Sequence, residues 1–189
     1  MASGRWPSRS EAEALLREYT ANPNPIKHAL AVEAAMRGCA ARFSADADAW
    51  GGLGLLHDFD YEQFPDPARH GREGARILTG RGYADDLASG LPAHIGAPEA
   101  PRATPMLQAL CGGDDLTGLI VAVALVRPSR KPADVTIQAV QKKWSEKGFA
   151  AGADRGAAER GARELGLPLD EFIGLVLTAL QGSAPALGL

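Results

Sequence analysis

Apolar residues recur at spacings of three and four along nearly the whole chain, and no strand-like alternation is sustained between turn signals. The pattern predicts an all-α fold. Ser10-Glu11-Ala12-Glu13 reads as a capping box opening a helix that runs to about Tyr19. Asn24-Pro25 starts a second helix reaching about Phe43, and a third spans about Asp46 to Asp58. Two prolines between Asp60 and Pro67 mark a loop, with Asp66 as N-cap of a helix from about Pro67 to Thr79 that Gly80 and Gly82 close. Another helix should begin near Ala84, yet Pro92 should break or kink it and leave His94 on a separate short turn. After the proline-rich stretch from Gly96 to Pro105 comes a long helix, about Met106 to Val126, whose second half is apolar on all sides, as in a central buried helix. The segment Arg127-Pro128-Ser129-Arg130-Lys131-Pro132 stops it. About three further helices follow, the last with one apolar stripe of Leu169, Phe172, Ile173, Val176, Leu177 and Leu180.

With 189 residues, 46% hydrophobic and 23% charged, the chain has the size and composition of one globular domain that can bury a full core. A single helical domain over residues 10–182 is expected, with residues 1–9 and 183–189 as flexible ends. A net charge of −3 gives no global basic field, so neither nucleic acid nor an anionic membrane is an expected partner. The most apolar run, Gly118 to Val126, is far shorter than the ~20 residues of a membrane span. Cys39 and Cys111 have no CxxC spacing and follow no secretory leader, which predicts packing thiols in a reducing cytoplasm. Function must therefore come from a site rather than from bulk charge.

All four histidines fall between His28 and His94, one of them in the adjacent pair His57-Asp58, and Asp114 follows. Imidazole nitrogen with carboxylate oxygen suits borderline divalent ions such as Mn, Fe, Co, Ni and Zn. His28 shares a helix face with Val32, Met36 and Cys39, and His57 shares one with Trp50 and Leu53, so both should point inward. Asp58 turns about 100° from His57 at the helix end, where both can still reach one ion. His70 shares a face with Ile77 and Leu78, His94 with Leu87 and Leu91. Gly71 and Gly74 thin the surface near His70 and would allow a close neighbour. Asp114 falls on the stripe of Leu107, Leu110 and Cys111, whereas Asp115 is rotated off it towards Gln108. A carboxylate on a buried face is costly unless paired or metal-bound. Any one of these residues alone would more often be a packed or hydrogen-bonding side chain; six together point to metal. Six is more than one ion usually takes from protein, so two ions bridged by Asp58 is the economical arrangement.

In this order His28, His57-Asp58 and Asp114 resemble the HD-domain superfamily, whose all-helical fold uses a histidine, an adjacent His-Asp pair and a later aspartate as metal ligands. The resemblance covers about residues 10 to 180, through KHALAVE, LLHDFDYE, RHGREGA and DDLTGLIVAVALVRPSRK, and is closest to small stand-alone bacterial hydrolases of that superfamily. Members with two further histidines between the pair and the final aspartate bind two metals, and His70 and His94 occupy those places. Members that hydrolyse cyclic dinucleotides carry glycine and lysine where this chain has Asp60 and Tyr61, and a GYP motif that it lacks, which argues against that activity. The one-metal nucleoside monophosphatases carry a glutamate at the place of Tyr61; Glu62 stands one residue late.

The resemblance implies a metal-dependent phosphohydrolase acting on a phosphate ester of a small molecule or nucleotide. No histidine is left over as a general base, so Asp58 as bridge, and Asp60, Glu62 or Asp115 nearby, are the candidates to activate water. Arg127, Arg130, Lys131, Lys142, Lys143 and Lys147 are candidates for binding phosphate. The rival that the resemblance leaves open is a di-iron oxygenase using the same ligands on a small organic substrate. A regulatory protein retaining a structural metal is a third reading, and a homo-oligomer stays open.

Overall fold

The computed structural model describes residues 4–146 and 148–187. Among the described residues there are nine α-helices and no strand, so the chain is all-α as its periodicity predicts. The helices are α1 (Arg9–Tyr19), α2 (Pro23–Arg42), α3 (Ala47–Leu56), α4 (Arg72–Gly80), α5 (Asp85–His94), α6 (Pro105–Leu125), α7 (Ile137–Trp144), α8 (Arg155–Glu164) and α9 (Leu169–Leu187), with a single 3-10 turn at Pro132–Asp134. Two of them organise the rest: α2 packs on α3, α6 and α9, and α6 packs on α2, α5, α8 and α9.

Several boundaries differ from the sequence reading, each for a local reason. The capping box is Ser8 with Glu11, not Ser10 with Glu13. Both pairs have the right spacing, but Arg5 forks onto the Glu11 carboxylate and fixes the upstream choice. Asn22, rather than Asn24, caps α2, its side chain accepting from the Asn24 amide. Asp66 caps only a turn, accepting from the Ala68 amide. The following helix waits until Arg72, because Gly71 adopts a left-handed φ of 72° that ends one conformation and begins another. His70 therefore sits on a turn before α4, not on a helix face. Conversely, α5 runs through Pro92 to His94, since a proline near the end of a ten-residue helix removes one hydrogen bond and leaves little helix beyond it to misalign.

Arg5 forms an isolated parallel bridge with Tyr83, the Ala84 amide donates to the Arg5 carbonyl, and α9 continues to Leu187. Helix α6 is not buried on all sides: Leu119, Ile120, Val123 and Ala124 are in the core, but Leu125 and Val126 are 46% and 62% exposed. By length and composition α6 could cross a membrane, which the sequence reading missed by counting only its second half; most of it is buried in the bundle. Cys39 and Cys111 are free and buried, and burial pushes their thiols up to about 12 and about 11. On α9 the expected stripe is buried from Phe172 to Leu180, with Leu169 partly covered.

Close approach of α2 and α3 sets up the site. A Cβ at Gly54 would lie 2.8 Å from the Val32 carbonyl oxygen and 2.9 Å from Met36, so only glycine lets these helices meet here. That contact brings the ring centroids of His28 and His57 to 5.3 Å.

Candidate metal centre

The six expected ligands converge in two groups. His28, His57 and Asp114 place one ligand atom each within 4.8 Å of one another, and Asp58, His70 and His94 do the same. In the first group Asp114 Oδ1 is 2.8 Å from His28 Nε2 and 3.5 Å from His57 Nε2. In the second, Asp58 Oδ1 is 3.0 Å from His70 Nε2 and 2.9 Å from His94 Nε2. The other oxygen of Asp58, Oδ2, faces back to His57 Nε2 at 3.5 Å. One carboxylate thus touches both groups. The rings of His57 and His94 meet edge-on at 5.2 Å and those of His70 and His94 at 5.4 Å, so the four imidazoles form a continuous row.

Helix ends position most of these side chains. His57 follows the last residue of α3 and His94 is the last residue of α5, where backbone carbonyls have no intrahelical donor. The Nδ1 of each reaches the carbonyl three residues earlier, Gly54 at 2.7 Å for His57 and Leu91 for His94. A carbonyl oxygen only accepts, so Nδ1–H is the donor in both, and the Nε2 lone pair is left for the site. His70 reaches the same state through a carboxylate: its Nδ1 donates to Asp60 Oδ1 at 2.9 Å.

Asp60 is fully buried, and its Oδ2 accepts from the Gly71 amide at 2.9 Å and the Gly74 amide at 2.8 Å. A Cβ at Gly74 would lie 2.9 Å from the Asp60 carboxyl carbon, which confirms that this glycine admits the close neighbour expected of it. With both oxygens engaged in a closed space, Asp60 orients His70 and is not free to serve as a base, contrary to the sequence expectation. Glu62 is corrected too: its Oε2 accepts from the amides of Ala21 and Asn22, so it ties down the α1–α2 connection on an exposed surface.

Whether the residues fit a metal is decided at His57. Its Nε2 is buried, has no hydrogen-bond partner and faces two carboxylates at 3.5 Å, so it needs either a proton or a metal ion between itself and them. The residues fit such an ion, and donors of this mixed N and O character suit Mn, Fe, Co, Ni or Zn. The electrostatics agree. Burial opposes protonation of His57, but Asp58 and Asp114 outweigh it and push its pKa up to about 9. His70 rises to about 9 against the same burial, through Asp58 and Asp60. Asp58 and Asp114 are held ionised well below the usual carboxylate range, the facing imidazoles overcoming burial. The site draws in positive charge.

Two cavities flank the first group and share His28 and Gly118. One, of about 330 Å³, is lined by Asp114, Asp115 and the Ala150–Ala153 stretch. There Asp115 Oδ1 accepts from the Asp154 amide at 2.9 Å, and burial raises its pKa. The other, of about 490 Å³, contains Lys27, the residue before His28, as its one cation among the described residues. Of the expected phosphate-binding residues, Arg127, Arg130, Lys131, Lys142 and Lys143 line neither. Arg127 is half-buried, Arg130, Lys131 and Lys142 are exposed, and Lys143 pairs with Glu146 at 2.7 Å. Lys147 lies outside the described residues.

The sequence reading also missed Glu33, a buried carboxylate clamped by Arg9 Nε at 2.9 Å and Arg37 Nε at 3.1 Å that locks α1 to α2. Its signal was available, as Glu33 and Arg37 are four apart on one helix face. Lys27 gave no signal beyond adjacency to His28. No family model, curated protein or solved structure matches this chain.

Proposed function

We propose that the chain is a metal-dependent phosphohydrolase of the HD-domain type, acting on a phosphate ester of a small molecule or nucleotide. Two divalent ions would be held by His28, His57 and Asp114 and by Asp58, His70 and His94. The observation that carries the reading is Asp58, which offers one oxygen to each group. Ions bound there would supply charge neutralisation for the phosphoryl oxygens and acidify a water at neutral pH. In the net reaction water oxygen bonds to phosphorus, the ester P–O bond breaks, and the proton lost by water ends on the leaving alcohol.

The chain's own contribution is positioning. Gly54, Leu91 and Asp60 hold three imidazoles with Nδ1–H engaged and Nε2 towards the site, so no ring has to turn when a metal ion displaces the Nε2 proton. His28, Asp58 and Asp114 form the open side, with a fifth to a third of each side chain exposed. Of the carboxylates expected to assist, Asp115 lines a cavity beside that side.

A second reading, a di-iron oxygenase acting on a small organic substrate, is favoured by the scarcity of cations among the described residues that line the two cavities. One sample separates them: iron-loaded protein assayed for phosphate release from p-nitrophenyl phosphate and from nucleotides, beside oxygen uptake. The phosphohydrolase reading predicts phosphate release with Mn or Co and without dioxygen. Substrate-dependent oxygen consumption with no phosphate release overturns it.

A further inference from the structure

The exposed apolar face of α6 is not scattered. Asp114, Gly118, Val121 and Leu125 are spaced four, three and four apart, one continuous stripe that begins at a candidate metal ligand. On α2 a matching stripe runs from His28 in the other direction, with Ala31 beside it and Lys27 and Asn24 beyond. All of these except Asp114 line the cleft of about 490 Å³ between the two helices, and Asp114 lines the neighbouring cavity instead. The cleft begins at His28, whose Nε2 lies 2.8 Å from Asp114 Oδ1. From Gly118 to Leu125 it extends about 10 Å along α6, at 1.5 Å per residue. A Cβ at Gly118 would meet nothing within 4 Å, so the helix surface shared by the two cavities is open at that position.

Its chemistry is specific. Ala31, Val121 and Leu125 give an apolar wall, and among the described residues Lys27 is the one cation and no arginine enters the lining. A nucleotide, with a polar base and ribose and several phosphates, would leave polar groups unpaired against that wall. A monoester with an apolar body matches it: one anionic head at the metal groups, one ammonium beside it, and a ring or short chain on Val121 and Leu125.

We infer that the α2–α6 cleft is the specificity site for a small phosphate monoester, or close isostere, whose non-reacting part is a single aromatic ring or a comparable hydrocarbon. This rests on the phosphohydrolase reading for the head group, whereas the cleft's preference for the body is independent of turnover.

The test is binding, by calorimetry on zinc-loaded full-length protein, of phenylphosphonate against methylphosphonate, neither of which has an ester bond to hydrolyse. The ring should bind about tenfold tighter, the order expected for burying its extra carbons. Val121→Trp, which fills the cleft, should cut that preference to below about threefold while methylphosphonate binds as before. Leu125→Gln, at a half-exposed position that tolerates polarity, should lower it in the same direction. Lys27→Gln should weaken both phosphonates together. Equal affinity for the two phosphonates, binding of neither, or a preference that survives both Val121→Trp and Leu125→Gln overturns the inference. Ring preference without hydrolysis of any phosphate monoester would instead leave the cleft standing and remove the phosphohydrolase reading.

Discussion

Asp60 distinguishes a positioning carboxylate from a catalytic base, and substitution with asparagine separates the two. Its Oδ2 accepts from two amides, Gly71 and Gly74, and its Oδ1 accepts from His70 Nδ1. In Asp60→Asn the oxygen must take the Oδ2 place, because an amide NH2 cannot accept from two backbone donors. The NH2 then faces His70 Nδ1, which must become the acceptor and pass its proton to Nε2. That nitrogen lies 3.0 Å from Asp58 Oδ1 and is the one that would ligate. Metal affinity in the Asp58, His70 and His94 group should fall 10- to 100-fold, as for other outer-shell partners of ligating histidines, or roughly 1.4–2.7 kcal/mol. The His28, His57 and Asp114 group should keep its affinity. Asp60→Ala goes further, leaving three buried donors unpaired at about 1–3 kcal/mol each. For a chain of this size that is a loss on the order of 10 °C or more in Tm. Competition titration with a chromogenic chelator reads the two classes of site, and thermal melts in excess chelator read the fold. Asp60→Asn that binds two ions with unchanged affinity yet loses turnover would refute this reasoning and restore Asp60 as a base.

Asp114→Asn should reduce metal binding far more than Asp115→Asn, because Asp114 faces His28 and His57 while Asp115 accepts from the Asp154 amide, which an asparagine oxygen can still do; equal losses in a zinc titration would contradict this. Glu33→Ala should lower metal-free stability by roughly 1–3 kcal/mol through loss of its charge-assisted hydrogen bonds, although Arg9 keeps Glu13 and Arg37 keeps Asp48, and urea melts should show it as a fall in midpoint without a change in slope. Arg5 and the Ser8 cap lower the Glu11 carboxyl to about 2, and a depressed carboxylate contributes stability above its unfolded pKa that is lost as pH falls through the folded value. The gap in stability between the unmutated chain and Glu11→Gln should therefore be full above about pH 4.5 and close towards pH 2; a gap constant with pH would show that Glu11 acts through shape alone.

Much of this was legible in the sequence because it depends on local periodicity. The inward faces of His28 and His57 follow from three-and-four spacing, and the adjacency of Asp58 to His57 already placed a carboxylate between groups. Other features depend on contacts between distant segments. Asp60 looked available for chemistry because nothing in its neighbours shows that Gly71 and Gly74 would fold back and take one of its oxygens. Pro92 looked like a break because the rule against interior proline weakens near a helix end, and the end is what sequence defines worst. The second half of α6 looked uniformly buried because an apolar cleft and an apolar core have one composition. The basic cluster from Arg127 to Lys131 looked like a phosphate site, yet it comes after the end of α6, eleven residues beyond Asp114 at Leu125, about 16 Å of helix from the ligand.

The central claim is that two ions share Asp58. Anomalous diffraction from a crystal of manganese-loaded protein, recorded at the metal edge, tests it most directly. The account predicts two peaks per chain, one among His28, His57 and Asp114 and one among Asp58, His70 and His94, with Asp58 reaching both. A single peak, or two with Asp58 bound to only one of them, would contradict it.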